Sequence, residues 1–284
     1  MQRSNRRRGK DREPRNEKES RGDKELVGAI VVGAGEGRRM SGRGRKQFAK
    51  IAGKPLMAYT IEVFEASPAV DHIVIVVPRD SVEFAKEEIV KDCGFKKVID
   101  VVYGGESRQQ SVQAGLKALK DKTRWVIIHD GVRPLVSENM IKRVLDAAQK
   151  TGAAISGVAA RETIKKVESG QIVGTLDRRL LWLAQTPQCF RYDVITDAHK
   201  RGAGDKVKAT DDAALVEKYG TKVVVAVGSY SNLKITSPED LPLFEYFLKA
   251  ENRVKLNAAQ SKKKPRQRQQ RGGRRPRTRR KSSG

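Results

Sequence analysis

The sequence of residues 26–40 is Leu26-Val27-Gly28-Ala29-Ile30-Val31-Val32-Gly33-Ala34-Gly35-Glu36-Gly37-Arg38-Arg39-Met40, and this stretch decides the fold. Its apolar first half, up to Val32, predicts a buried strand. The glycines that follow have no Cβ atom, so their backbone N–H groups can approach a phosphate closely. Lys46 adds a fixed positive charge six residues after Met40. The segment therefore predicts a phosphate-binding turn at the end of a strand.

Two common phosphate-binding motifs do not fit this turn. A Walker loop requires Gly-Lys-Ser/Thr after four intervening residues, and a dinucleotide fingerprint requires a third glycine where Met40 stands. The remaining interpretation is a nucleoside triphosphate held by backbone amides with Arg39 and Lys46, which stabilise charge on phosphorus. The alternative is a plain strand-to-helix turn, in which Arg43 and Arg45 belong to a solvated basic surface.

Beyond this turn, short β-branched runs alternate with helical patterns. The predicted strands are 29–32, 72–78, 98–104, 125–130, 153–160 and 222–228. The predicted helices are 55–65, 81–92, 111–119, 137–150, 211–219 and 238–251. Such alternation predicts an α/β fold with a mainly parallel, Rossmann-like sheet and helices on both faces. Ligands bind outside the carboxyl ends of such strands, where the glycine turn, Gly104-Gly105 and Asp130 all fall.

Residues 161–179 interrupt the alternation and predict an inserted β-arm, a hairpin that turns at Ser169-Gly170. A hairpin of two strands is marginally stable alone in water. We therefore expect the arm to pack on a second subunit, which predicts a homodimer.

The charge of the chain is concentrated at its ends. Of the net +25 over 284 residues, residues 1–25 hold ten Lys/Arg against six Asp/Glu, and 249–284 hold fifteen against one. The composition predicts disordered tails at 1–25 and 250–284 around one folded domain at 26–249. The excess charge thus says little about the partners of the folded domain.

Several classes of protein are disfavoured by composition. No apolar run reaches the roughly 18 residues of a membrane span. The N-terminal segment lacks the apolar stretch of a secretory signal, and it contains acidic residues, in which organellar transit peptides are poor. These patterns predict a cytoplasmic protein with no membrane partner. Cys93 and Cys189 are too few for a disulfide framework, and the three histidines are too scattered for a zinc site.

Two further segments carry candidate site residues. His129-Asp130-Gly131-Val132-Arg133-Pro134 ends a predicted strand, where Asp130 is suited to Mg²⁺ and Arg133 to a second anion. The alternative is a surface ion pair of little energetic value. The second segment is Gly104-Gly105-Glu106-Ser107-Arg108-Gln109-Gln110-Ser111. We interpret Arg108 and Ser111 as contacts to the base and ribose of a nucleotide, and the alternative for Ser111 is a simple helix cap.

These elements together resemble the 2-C-methyl-D-erythritol 4-phosphate cytidylyltransferase family over about residues 26–249. The resemblance lies in the following segments, which occur in this order: the glycine turn with Lys46-Gln47, Gly104-Gly105 with Arg108 and Ser111, His129-Asp130 with Arg133-Pro134, Thr186-Pro187-Gln188, Thr210-Asp211-Asp212-Ala213, and Asn232-Leu233-Lys234-Ile235-Thr236. It implies a fold of the nucleotide-diphospho-sugar transferase type. The chain departs from the family pattern at Gly33, Gly131, Arg45 and Ser231, the last of which removes a common carboxylate.

The resemblance also implies a reaction and roles. The phosphate of methylerythritol phosphate attacks the α-phosphorus of CTP, and pyrophosphate leaves, with Mg²⁺ as cofactor. The implied catalytic residues are Arg39, Lys46 and Lys234, and Asp130 serves the metal and the substrate. The implied substrate- and nucleotide-binding residues are Ala34, Gly35, Gly37, Gly105, Arg108, Ser111, Arg133, Thr163, Arg178, Thr186 and Thr210. Among these, Thr163 and Arg178 match positions that reach the substrate of the neighbouring subunit.

Two alternatives stay open from the sequence. A ribitol 5-phosphate cytidylyltransferase shares the fold and the motifs and differs in the acceptor, so CTP and a polyol phosphate are the predicted partners in both cases. A protein that binds nucleic acid non-specifically through its basic C-terminal tail is the alternative from a different class. That tail contains no aromatic residue for base stacking.

Overall fold

The computed structural model describes residues 25–35, 45–119, 121 and 123–250. The predicted tails lie outside the described residues except for Glu25 and Ala250. Gly37 and Arg39, which were assigned to the nucleotide, also lie outside them. Among the described helices, none is both long and apolar enough to cross a membrane.

A seven-stranded sheet forms the centre of the described fold. The strands in chain order are β1 (Leu26–Val32), β2 (Lys50–Ile51), β3 (Lys54–Pro55), β4 (His72–Val77), β5 (Val98–Tyr103), β6 (Thr123–Asp130), β7 (Ala153–Ala159), β8 (Lys165–Glu168), β9 (Gln171–Thr175), β10 (Trp182–Arg191) and β11 (Val224–Val227). The sheet order is β11-β7-β10-β6-β1-β4-β5, and β10 alone of these seven runs antiparallel to its neighbours. The prediction of a mainly parallel sheet is confirmed.

Helices cover both faces of the sheet. They are α1 (Leu56–Ala66), α2 (Val82–Phe84, continued by π-helical turns over Ala85–Lys91), α3 (Arg108–Ala118), α4 (Glu138–Thr151), α5 (Tyr192–Gly204), α6 (Asp212–Lys218) and a helix over 240–250. Alternation along β1 explains the two layers, because Ala29 and Val31 pack in the core with α1 and α4 while Ile30 packs in the core with α3 and α5.

Strand β10 and helix α5 were not predicted, and neither were the two short strands β2 and β3. Strand β10 has Gln185, Thr186, Pro187 and Gln188 at its middle, and proline normally argues against a central strand. The sheet accommodates them with a register shift between Gln185 and Gln188 in the pairing with β7. Helix α5 was missed because its buried face is small and partly polar, with Ile195, Ala198, His199 and Gly202.

The predicted start of the third helix at Ser111 is wrong. Helix α3 begins at Arg108, and Ser107 is its N-cap. The Ser107 hydroxyl accepts from the backbone N–H of Gln110 at 3.1 Å, and the Gln110 side chain accepts from the backbone of Ser107, so the two form a capping box. Ser111 is therefore free of a capping role and lies in the first turn.

The predicted arm is a hairpin in the structure. Strands β8 and β9 pair antiparallel and are joined at Ser169 and Gly170, which both have positive φ. Apolar side chains on the arm are open to solvent in the single chain, with Ile172 65% exposed. The packing of the arm on a second subunit stays a prediction.

Candidate functional site

A cavity of about 1130 Å³ opens at the carboxyl ends of β1, β5 and β6. Eight of the predicted site residues line it: Ala34, Gly35, Lys46, Gly105, Arg108, Ser111, Asp130 and Lys234. These come from five separate segments of the chain, and the parallel sheet brings them to one edge. The convergence expected from the sequence is therefore present among the described residues.

The glycine turn is held from behind by Gln47. Its amide Nε2 donates to the carbonyl of Gly33 at 2.7 Å and to that of Gly35 at 3.1 Å. The Gln47 side chain is buried, and the Gly33 N–H donates in turn to Val76 at 2.7 Å. One side chain thus fixes the shape of the turn from the segment that also carries Lys46. Gln47 was quoted beside Lys46 in the sequence, but it was given no role.

The opposite wall is the turn before α3. A Cβ atom on Gly104 would lie 2.4 Å from the Cβ of Ala34 and 2.5 Å from Oγ of Ser111, so only glycine allows the two walls to approach this closely. The Ser111 hydroxyl donates to the Ser107 carbonyl at 2.9 Å. This contact aligns Ser111 along the cavity.

Asp130 is the electrostatic centre of the cavity. Its Oδ2 accepts from Lys234 Nζ at 2.9 Å and lies 3.3 Å from Arg133 Nε, and its Oδ1 lies 3.6 Å from Arg108 Nε. Burial alone would raise the pKa of this carboxyl, but Lys234, Arg108 and Arg133 together hold the pKa well below its ordinary value. At 7% exposure, Asp130 belongs to a buried charged cluster, and the alternative of a surface ion pair is wrong.

Arg133 and Thr186 support Asp130 from beneath the cavity. The backbone N–H of Asp130 donates to Thr186 Oγ1 at 3.0 Å. Asn232 Nδ2 donates to the Thr186 carbonyl at 2.8 Å, and Arg133 Nη1 donates to the Asn232 carbonyl at 2.8 Å. This chain of contacts ties β6, β10 and the segment before Lys234 together, so the position of Lys234 depends on both strands.

Arg108 is held between two carboxylates. Its Nη1 donates to Asp212 Oδ2 at 2.6 Å, while its Nε faces Asp130. Asp212 is buried and also accepts from His199 Nε2 at 3.1 Å. The sequence placed Arg108 at the nucleotide but missed Asp212 and His199, although Asp212 stands in the quoted Thr210-Asp211-Asp212-Ala213 segment.

Three predicted residues lie away from the cavity in the single chain. Thr163 and Arg178 are exposed on and beside the arm, and Arg178 donates to the Arg161 carbonyl. Thr210 is exposed before α6 and does not line the cavity. Asp212, two residues after Thr210, is connected to the cavity instead, because its carboxylate accepts a hydrogen bond from Arg108.

Other cavity residues were not singled out by the sequence. Arg45 lines the cavity and is paired with Asp80 and Ser81. The Arg79 guanidinium lies 3.9 Å from the centre of the Tyr103 ring, and both side chains line the same wall. In the sequence, Arg45 was noted as one charge of a basic turn and as a departure from the family pattern, and nothing in the spacing pointed to Asp80.

A metal ion bound in this cavity would be held mainly by the phosphates of a substrate, with one protein carboxylate. Within the described residues, no group of three or more His, Cys, Asp or Glu side chains is placed to hold a metal ion. Asp130 Oδ1, at 3.6 Å from Arg108, is beyond hydrogen-bond length and retains lone pairs. Mg²⁺ is commonly bound by one or two carboxylates together with substrate phosphates, and this single carboxylate fits that mode.

The fold and the cationic cavity between two glycine turns define a nucleotidyltransferase. The family model for 2-C-methyl-D-erythritol 4-phosphate cytidylyltransferase matches residues 27–250. The chain belongs to this family, which confirms the resemblance found in the sequence.

Named relatives agree with this assignment. The 2-C-methyl-D-erythritol 4-phosphate cytidylyltransferase of Geobacter metallireducens is 45% identical over 226 residues, 78% of this chain and 97% of the relative. The enzyme of the same name from Syntrophus aciditrophicus is 46% identical, over 80% of this chain and 98% of the relative. A crystal structure of 4-diphosphocytidyl-2C-methyl-D-erythritol synthase from Anaerococcus prevotii has a TM-score of 0.71 at 29% identity, covering 79% of this chain and 96% of that one.

Proposed function

We propose that the protein transfers CMP from CTP to 2-C-methyl-D-erythritol 4-phosphate and releases pyrophosphate. The observation that carries this proposal is Asp130, which is surrounded by Lys234, Arg133 and Arg108 at the edge of a cavity framed by two glycine turns. Such a site suits two polyanionic reactants, because it offsets their mutual repulsion and orients them. The names of the relatives at about 45% identity give the acceptor.

The nucleotide is assigned to the two facing glycine turns. Ala34 and Gly35 offer backbone groups on one side, while Gly105 and Ser111 lie on the other side of the same cavity. Arg108 lines the cavity between them with its Nη2 unpaired among the described residues. The proposal gives these five residues to the base, ribose and triphosphate, together with Gly37, which lies outside the described part of the chain.

The two lysines that line the cavity, Lys46 and Lys234, are assigned to stabilising the charge that grows on phosphorus. An acceptor phosphate oxygen forms a bond to the α-phosphorus, the bond from that phosphorus to the bridging oxygen breaks, and the electron pair leaves with pyrophosphate. Lys46 and Lys234 line the cavity and, with Arg39, would stabilise the charge that grows on the five-coordinate phosphorus. No general base is needed, because the attacking phosphate is already ionised at neutral pH.

Mg²⁺ is the proposed cofactor. Asp130 and triphosphate oxygens would hold it, and it would supply further neutralisation of the phosphate charges. Lys234, Arg108 and Arg133 keep the Asp130 carboxylate ionised, and because these cations surround it, a metal ion there would also need the negative charge of the triphosphate oxygens.

The acceptor is assigned to the far side of Asp130. Arg133 and Thr186 lie directly against Asp130, and the Asp130 carboxylate is the group that the acceptor would meet. Thr163 and Arg178 would reach this acceptor from the arm of a second subunit, which accounts for their exposure in the single chain. The functional protein would then be a homodimer. Thr210 is kept as a predicted binding residue without a contact that supports it.

Pyrophosphate release tests the proposed function. The purified protein is given CTP and Mg²⁺ with either 2-C-methyl-D-erythritol 4-phosphate or ribitol 5-phosphate, and pyrophosphate is measured with a coupled assay. Turnover with the first acceptor alone is expected. Turnover with ribitol 5-phosphate alone would reassign the acceptor, and release with neither would refute both assignments. Chelation with EDTA is expected to stop turnover and excess Mg²⁺ to restore it.

A further inference from the structure

We propose that Asp212, supported by His199, is a positioning residue that holds the Arg108 guanidinium in the nucleotide cavity and away from Asp130. This inference rests on the proposed function, because it assumes that Arg108 meets the nucleotide. Neither Asp212 nor His199 lines the cavity, so any effect on the nucleotide must pass through Arg108.

The distances show how Arg108 is divided between two acids. Its Nη1 is 2.6 Å from Asp212 Oδ2, whereas its Nε is 3.6 Å from Asp130 Oδ1. The first is a short charge-assisted hydrogen bond, and the second exceeds hydrogen-bond length. The Nη2 group is buried and has no hydrogen-bond partner in the described part of the chain. Asp212 therefore fixes the side chain through Nη1, while Nη2 keeps donors that no described residue uses.

Asp212 is itself held firmly at the start of α6. Asp211 caps this helix by accepting from the backbone N–H of Ala214 at 2.9 Å. Gln188 on β10 donates to Asp211 at 2.8 Å and accepts from the backbone of Ala213 at 3.2 Å. The residues on either side of Asp212 are thus tied to the central sheet, so its carboxylate has a fixed place relative to α3.

His199 completes the shell of Asp212. Because a carboxylate can only accept, His199 Nε2 is the donor in the 3.1 Å contact with Asp212 Oδ1. The carbonyl of His199 accepts from Gln113 on α3 at 3.1 Å, which links α5 to the helix that carries Arg108. Burial would raise the pKa of Asp212, but Arg108 and His199 lower it overall, so the carboxylate stays charged.

Removing the charge of Asp212 has a definite consequence. Asp130 is then the carboxylate that remains within reach of the Arg108 guanidinium, and the 3.6 Å gap to Oδ1 is short enough for a side-chain rotation to close. A closed pair would engage the Arg108 nitrogens and the Asp130 oxygen that the ligands require. Asp212 thus keeps both groups available to the nucleotide.

A double-mutant cycle on nucleotide affinity tests the proposal. CTP binding is measured by calorimetry in EDTA, without acceptor, for the wild type, Asp212→Asn, Arg108→Gln and the double variant. Each single variant is expected to weaken binding about 10- to 100-fold, the loss associated with one hydrogen bond to a charged group. The double variant is expected to bind no more weakly than Arg108→Gln alone, because Asp212 acts only through Arg108.

The matched control is Asp197→Asn, the same chemical change on α5 at an exposed carboxylate paired with Arg201 at 3.5 Å. It should bind CTP as the wild type does. Losses that multiply in the double variant, or wild-type affinity in Asp212→Asn, would overturn the inference. A wild type that neither binds CTP nor releases pyrophosphate would instead refute the proposed function.

His199 provides a second, milder perturbation if Asp212→Asn does not fold. His199→Gln keeps a side-chain N–H donor, whereas His199→Leu removes it. We expect His199→Gln to bind CTP within about threefold of the wild type and His199→Leu to lose about tenfold, the effect of one hydrogen bond. Equal affinities for these two variants would contradict the role of His199.

Discussion

Gln47 offers a direct test of how the glycine turn is held. The variant Gln47→Met keeps the approximate volume of the side chain but removes the amide that donates to Gly33 and Gly35. The bond to Gly33 is buried, so its carbonyl would lose its partner, whereas the exposed Gly35 carbonyl can be reached by water. The bond to Gly33 is therefore expected to contribute more to the stability of the turn than the bond to Gly35.

The expected loss of stability in Gln47→Met is estimated from the buried Gly33 carbonyl. An unpaired buried acceptor costs about 1–3 kcal/mol, and the loss of Gln47 Oε1, which has no partner among the described residues, offsets part of it. A net loss of about 1–2 kcal/mol lowers the melting temperature by about 2–8 °C in a domain of this size. If CTP requires the native turn and the whole loss falls on the turn, its affinity falls by at most a factor of about 5–30.

The assay is a thermal melt and a CTP titration of Gln47→Met beside Gln149→Met. Gln149 lies exposed on α4, so the control makes the same chemical change far from the turn. The reasoning would be refuted if Gln47→Met matched the control in both melting temperature and CTP affinity. A lowered melting temperature with unchanged affinity would show that the turn is stabilised by Gln47 but keeps its shape without it.

Three further predictions concern catalysis, pH and packing. Lys46→Ala should lower kcat about 10²- to 10³-fold, as expected for a preorganised donor, while Lys142→Ala, at an exposed pair on α4, should leave kcat unchanged in the pyrophosphate assay. Burial lowers the pKa of His129 from 6.5 to about 4. As the pH falls, the unfolded chain therefore takes up a proton on this histidine before the folded chain does. The free energy of unfolding should fall by about 3 kcal/mol between pH 6.5 and pH 4 for this reason. His129→Phe should remove that part of the slope in denaturant titrations at several pH values, and an unchanged slope would contradict this cause. Gly115→Ala should cost about 1–3 kcal/mol in a denaturant titration, because the new Cβ would lie 2.5 Å from Ile30 Cγ2 in the core, and a midpoint equal to that of the wild type would show that the core yields.

Much of the fold could be predicted because each parallel strand is a short apolar run that can be recognised from its own residues. The run His72–Val77 is buried along its whole length, so continuous β-branched residues identify it without reference to other elements. Strand β10 is different, because its polar middle is satisfied only by partners far along the chain, such as Asp211 for Gln188 and Asn232 for Thr186. A local pattern does not carry that information.

The candidate site divides in the same way. Lys46 and Asp130 could be predicted because charged side chains beside strand ends and glycine turns have an obvious use at a phosphate, whereas Lys234 was indicated only by the family resemblance. Asp212 and His199 could not, because Asp212 matters through its contact with Arg108, which lies 104 residues away in the sequence, and His199 matters only through Asp212. Arg108 itself was correctly placed at the cavity, but its second carboxylate was not foreseen.

The position of β10 also has a consequence for how the protein is made. Strands β6 and β7 are neighbours in the chain but not in the sheet, because β10 is inserted between them and pairs with both. Until residues 182–191 leave the ribosome, the facing edges of β6 and β7 have no partner strand, and such edges are prone to pairing with other chains. The Thr186 contact to Asp130 forms in the same event, since it spans 56 residues and requires β10 in place. Pairing of β10 with β6 and β7 and formation of the Thr186 contact to Asp130 thus belong to one long-range step of folding.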